Sequence, residues 1–208
     1  DKDIQDYVVK LSEWFLKDEA IIYDLACSTG ETIKKITELK VTNKTKIIGI
    51  DSNKRMIDLA KRKLKSKQIN KKKFIIEFKN QDLLKINKYK KANLFISILL
   101  FPFINLRDRK LILNKIYDSL ESGGAFICVE KIRSHDPIFE DILNQMYFDY
   151  KISKKLTEKE ILDKSRSLRS SMYLFDENTS FNLLRETGFT HYDTFFKCFN
   201  FIGYIAIK

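Results

Sequence analysis

The strongest constraint on this chain is a rhythm. Short, continuously apolar runs alternate with amphipathic segments up to Lys131. The runs are AIIYDL (Ala20 to Leu25), KIIGI (Lys46 to Ile50), Phe74 to Phe78, NLFISILL (Asn93 to Leu100) and AFICVEK (Ala125 to Lys131). Neighbouring side chains on a strand point to opposite faces, so a strand apolar throughout must be covered on both sides. The intervening segments Glu31 to Leu39, Lys54 to Lys67 and Arg107 to Leu120 read as helices. In Lys54 to Lys67, Met56, Ile57, Ala60 and Leu64 form one stripe. A leading helix is expected from Ile4 to Leu16, where Tyr7, Val8, Leu11, Trp14 and Phe15 have helical spacing. Gly123 and Gly124 fit a left-handed stop for the helix before them. The rhythm changes after Lys131. Asp136 to Lys164 reads as largely helical, and Glu177 to Glu186 as a helix stopped at Gly188. Tyr192 to Phe199 and Phe201 to Lys208 read as an antiparallel pair. The predicted fold is α/β: a mostly parallel sheet, covered on both faces, ending in an antiparallel hairpin. A helical insertion over about 134–175 precedes the hairpin.

Size and composition narrow the class. With 208 residues, 44% of them apolar, the chain suits one domain over 1–208 with a sizeable core. No apolar run reaches the roughly 18–20 residues of a membrane span, and the start does not read as a signal peptide. Three cysteines (Cys27, Cys128, Cys198) without metal-type spacing argue against a disulfide scaffold or zinc ribbon, and a reducing cytoplasm is expected. Two histidines leave little for a histidine-based metal site. His135 and His191 read as surface residues, and Cys27 as packing. The formal net charge of +11 invites a nucleic-acid reading. However, 31 of the 39 basic residues are Lys, and ten of them with Arg fall between Lys54 and Lys73 against the single acid Asp58. A solvated helix face and loop account for that equally well.

Ligands of open parallel sheets bind beyond the carboxyl ends of the strands. Those ends read YDLACSTGE (Tyr23 to Glu31), GIDSN (Gly49 to Asn53), NQDLL (Asn80 to Leu84) and Ser97 within ISILLF. Small residues in the first loop let the backbone approach a ligand, and an acid after the second strand can accept from ribose hydroxyls. The dinucleotide pattern G-x-G-x-x-G and the P-loop pattern are both absent. Acids at three successive strand ends suit a nucleoside with a positively charged, phosphate-free tail; capping acids would look the same.

YDLACSTG, IDSN and a following Asp resemble the Rossmann-like class I methyltransferase fold, which binds S-adenosyl-L-methionine (SAM). NKIYDSLESGGAFICVEK, ILNQMYFDYK and FFKCFNFIGYIAIK resemble the carboxy-S-adenosyl-L-methionine synthase family. The likeness runs from about Leu11 to Lys208. The FNF segment and the MYFDYK helix carry more of it than the loop after the first strand. The resemblance implies a seven-stranded sheet. It also implies conversion of SAM and prephenate to carboxy-S-adenosyl-L-methionine and phenylpyruvate, the product serving a second enzyme that modifies the wobble uridine of tRNA. Direct tRNA binding is then not required, and a homodimer is expected. By position, Ala26, Cys27 and Ser28 would line the methionine part, Asp51 and Ser52 would hold the ribose, and Asp82 and Leu83 would frame the adenine. Ser97 stands where the family typically has Asn, beside the sulfonium. A family Arg from the insertion reaches the partner subunit's site to hold the new carboxylate. In KSRSLRSSM (Lys164 to Met172) an ungapped match puts Ser165 there, with Arg166 adjacent and Arg169 on the same helical side; Arg166 is favoured. A family tyrosine that contacts ligand would fall at or just before Asp1. Two other readings stay open at this point: a methyltransferase acting on a small molecule or tRNA, and a cofactor-binding RNA module using the basic segment.

Overall fold

The structure is a computed structural model that describes residues 2–17 and 19–208, so the position of the family tyrosine at or before Asp1 lies outside the described residues. Seven strands form one sheet: β1 (Ile21–Leu25), β2 (Thr45–Asp51), β3 (Phe74–Asn80), β4 (Ala92–Ile98), β5 (Leu120–Lys131), β6 (His191–Cys198) and β7 (Phe201–Ile207). Their order is β3-β2-β1-β4-β5-β7-β6. The first five are parallel; β7 runs antiparallel to both β5 and β6. The sheet is thus the one the apolar rhythm predicts. Its order reverses at β1 and β4, which opens a crevice at their carboxyl ends.

Helices α1 (Lys2–Ser12), α2 (Glu31–Ile36) and α3 (Lys54–Lys65) cover one face. α4 (Leu106–Ser119) and α7 (Glu177–Thr187) cover the other. Two apolar clusters result. Ile22, Ile47, Leu94, Ile96 and Ile127 point into the first, and Tyr23, Ile48, Phe95, Phe126 and Cys128 into the second. The alternation of partners along single strands is why every position had to be apolar. α5 (Pro137–Ser153) and α6 (Glu158–Ser167) form the insertion. Lys155 adopts a left-handed φ of 67° between them, and Thr157 restarts the helix with a capping box to Glu160.

Two sequence expectations change. Gly123 and Gly124 do not stop a helix. α4 ends at Ser119, and Leu120, fully buried and extended, enters β5 at once by pairing with Ala92. Gly123, at φ 79°, donates its N–H to the carbonyl of Lys208 at 2.7 Å, so the pair shapes the irregular start of a strand. α2 is also shorter than Glu31 to Leu39: its last residues turn through i→i+3 bonds, Glu38 to Lys35 and Leu39 to Ile36.

Candidate cofactor site

The loop leaving β1 is built on unusual backbone. Ala26, Ser28 and Gly30 all have positive φ, at 59°, 49° and 75°. Gly30 adopts this at no steric cost, whereas Ala26 and Ser28 carry a Cβ that crowds it. The loop holds because neighbouring elements fix it. Cys27 donates its N–H to the Ile50 carbonyl at 3.0 Å, and Gly30 to the Cys27 carbonyl at 2.9 Å. Lys63 of α3 reaches Thr29 Oγ1 at 3.1 Å and pairs with Glu31.

Asp51, at the end of β2, ties this loop to the next. Its Oδ2 accepts from the Ser28 N–H at 2.9 Å and its Oδ1 from the Asn53 N–H at 2.8 Å. Asn53 then caps α3. From the end of β3, Asn80 Nδ2 donates to the carbonyls of Asp51 and Ser52, both at 2.9 Å. Gln81 donates its N–H to the Asp51 carbonyl at 3.1 Å. Asp82 follows, exposed, and caps a single 3-10 turn by accepting from the Leu84 N–H at 3.0 Å; Leu83 is buried beneath it. Hydrogen bonds therefore join the β1 loop (Ala26, Cys27, Ser28) to the end of β2 (Asp51, Ser52), and Asp82 and Leu83 follow directly on Asn80 and Gln81, which bond to that end.

Ser97 and Arg166 stand apart. Ser97 pairs with Leu25 and Cys128 in the sheet, but it is fully buried, its hydroxyl beside the Cys128 thiol and otherwise without a partner. Arg166 lies on α6, exposed, 3.8 Å from Asp163 one turn back. α6 ends at Ser167, so Arg169 sits past the helix in the following turn and loses the i,i+4 relation to Ser165. His135 and His191 are exposed, and Cys27 is buried. Burial and the neighbouring Asp24 and Asp51 push the Cys27 thiol well above its ordinary range, which suits packing and not nucleophilic attack. The Lys54 to Lys73 segment forms the outer side of α3 and the loop after it.

The first of the three strand-end acids, given no role of its own from the sequence, is the most perturbed. Asp24, the penultimate residue of β1, is 3% exposed, and its Oδ2 has no hydrogen-bond partner among the described residues. Burial, with Asp51 adding like charge, raises its pKa from 3.8 to about 8. An acid inside an otherwise continuous apolar strand was its signal. The site thus presents carboxylates and fixed carbonyls. That acceptor set fits SAM: ribose hydroxyls and the adenine amine can donate to carboxylates, and an acidic rim favours the sulfonium and ammonium cations. When bound, SAM supplies an activated carbon on sulfur.

Strand order, a small-residue loop after β1 and an acid after β2 define a class I SAM-dependent methyltransferase fold. Solved structures share it. The chain superposes on magnesium protoporphyrin IX methyltransferase of Synechocystis with bound SAH with a TM-score of 0.67, at 13% identity, covering 99% of this chain and 82% of that one. A SAM-dependent methyltransferase of Methanosarcina mazei matches with a TM-score of 0.66, at 16% identity over 95% of each chain. The ubiE/COQ5 methyltransferase family model matches residues 5–204. Among curated proteins, the carboxy-S-adenosyl-L-methionine synthase of Staphylococcus epidermidis is 33% identical over 207 residues, spanning 100% of this chain and 87% of that protein. That of Sulfurimonas denitrificans is 33% identical over 203 residues, 96% and 83% respectively. The chain belongs to the ubiE/COQ5 methyltransferase family and, within it, groups with the carboxy-S-adenosyl-L-methionine synthases, as a SAM-dependent transferase.

Proposed function

We propose that this protein makes carboxy-S-adenosyl-L-methionine from SAM and prephenate, releasing phenylpyruvate. Full-length similarity to synthases of that name carries the reading. The acidic, hydrogen-bonded rim at the ends of β1, β2 and β3 supports it as the SAM site. In the balanced reaction, the ring carboxyl leaves prephenate and becomes bonded to the former methyl carbon of SAM. The electrons of the broken C–C bond aromatise the ring as hydroxide departs, and hydroxide leaves as water with a proton from that methyl. Asp51 and Ser52 orient the ribose, Asp82 and Leu83 the adenine, and Ala26, Cys27 and Ser28 the methionine chain. Ser97 backs the sulfonium side from within the sheet.

The working unit is a homodimer in which Arg166 reaches the partner subunit's site. α5 supports this: it buries no residue within the chain, yet exposes Ile138, Ile142 and Met146 at four-residue intervals. Arg166 is exposed, with Asp163 at 3.8 Å as its ion-pair partner among the described residues. The enzyme acts in the cytoplasm, in keeping with three free cysteines, and its product feeds wobble-uridine modification of tRNA. No described helix is long and apolar enough to cross a membrane.

Incubation with SAM and prephenate, followed by mass spectrometry, tests the reading. A species heavier than SAM by one carboxyl group is expected, together with phenylpyruvate. Formation of S-adenosylhomocysteine with an added acceptor, and no carboxylated product, would instead establish a methyltransferase.

A further inference from the structure

The two segments that carry most of the family resemblance, MYFDYK and FNF, touch each other. Tyr147 of α5 packs edge-on against Phe201, with ring centroids 5.1 Å apart, and against Phe199 at 5.7 Å. Tyr150 lies 5.5 Å from Phe199. Asn200 Nδ2 donates to Asn144 Oδ1 at 2.8 Å. The hairpin turn between β6 and β7 thereby fixes the Tyr147 ring. Two ammonium groups sit over that ring: Lys151 Nζ at 4.0 Å and Lys131 Nζ at 5.9 Å from its centroid.

These cations have no counter-ion within hydrogen-bond reach. No carboxylate pairs with Lys131 or Lys151 among the described residues. One acid, Glu140, acts on Lys131 at a distance, its oxygens held by the Ser134 N–H and Asn144 Nδ2; against it stand Lys131, Lys151 and Lys164. Burial lowers the pKa of Lys131; burial, Lys131 and Lys164 lower that of Lys151. Like charges gathered around one ring repel, and the ring's π-face offsets that only in part.

The place of the cluster says what it is for. Lys131 is the last residue of β5, on the carboxyl side of Cys128, the sheet neighbour of Ser97. It lies on the same face of β5 as Ile127 and Val129, which face the same core as Cys27 and Ile33 at the start of α2. It therefore stands at the carboxyl end of the sheet, one strand beyond Ser97, on the side of the β1 loop.

We propose that Lys131 and Lys151, held over Tyr147 at the carboxyl end of β5, form a site for the carboxylate of an organic acid, the carboxyl-donating substrate. Two ammonium groups at one ring, with an excess of positive over negative charge around them, are what a carboxylate requires. The flanking Tyr147 ring offers a flat apolar wall to the rest of such a molecule. The assignment rests on the synthase reading above for the role of the acid, but not for its binding.

The test uses the full-length protein with Lys131→Met, Lys151→Met and the double variant. The Lys154→Met variant serves as control, because Lys154 faces Tyr150, with its ammonium 5.4 Å from that ring. Calorimetry measures affinity for prephenate and, separately, for SAM. The double variant should bind prephenate at least tenfold more weakly with SAM affinity within twofold, and its KM for prephenate should rise more than its kcat falls. Lys154→Met should match wild type. Prephenate affinity within twofold of wild type in the double variant would overturn the proposal, as would failure of wild type to bind prephenate with or without SAM. Wild type that binds prephenate through these lysines yet yields no carboxylated product would sink the synthase reading alone.

Discussion

At the residue scale, Asp24 and Ala26 carry the sharpest expectations. Asp24 has its pKa raised from 3.8 to about 8 in the folded protein. Its contribution to stability is fully present below pH 3.8 and is lost as pH rises from there through about 8, because over that range the unfolded state has released the proton that the folded state still holds. Asp24→Asn should remove that decline, so the variant gains on wild type across this window in denaturant titrations. The positive charges of SAM favour ionised Asp24. SAM should therefore bind wild type more tightly as pH rises from about 6 to about 9, and calorimetry on Asp24→Asn should lose that slope. Ala26 holds a left-handed φ of 59°. Ala26→Gly should raise stability by about 1 kcal/mol, read from the denaturation midpoint. The loop's acids and small residues were visible in the sequence. That Ala26 and Ser28 adopt glycine's conformation was not, because it depends on hydrogen bonds from β2 that only the assembled sheet supplies.

At the scale of elements, a buried ion pair joins α4 to the sheet and ties in the end of the insertion. Arg109 of α4 is 1% exposed and donates to Glu130 of β5 at 3.0 Å. It also donates to the carbonyls of Ile104 at 2.9 Å and Tyr173 at 2.7 Å, and lies over the Phe175 ring at 4.7 Å. Glu130, its pKa raised by burial against the pull of Arg109, also accepts from Ser180 of α7. Arg109→Met should cost about 3–5 kcal/mol by leaving Glu130 unpaired. Adding Glu130→Leu should recover most of that loss, a comparison that urea titration of both variants decides. Neither partner stood out in the sequence. Arg109 looks like one more cation on a lysine-rich helix, and Glu130 like the polar end of a strand. Their pairing spans 21 positions, and only the packing of α4 on the sheet creates it. The strands were legible because burial on both faces leaves a continuous apolar run. The start of β5 was not, because ESGG has the composition of a helix stop.

For the whole molecule, the apolar side of α5 and the basic side of α3 lead to opposite expectations. If α5 carries the proposed dimer contact, Ile142→Glu should leave a monomer in sedimentation equilibrium, since Ile142 is 46% exposed on a helix with no buried residue. Reversing Lys61, Lys65 and Lys71 to Glu should leave carboxy-S-adenosyl-L-methionine formation within twofold, because all three are exposed on the far side of α3 or its loop. The placement of β7 between β5 and β6 has its own consequence for synthesis on the ribosome. An emerging chain that has completed β6 still cannot dock it, because its neighbour in the sheet has yet to be made. β5 waits with an open edge, and Tyr147 waits without Phe201. The ring contacts that hold Tyr147 beside Lys131 and Lys151 are thus completed by the same late event that closes the sheet.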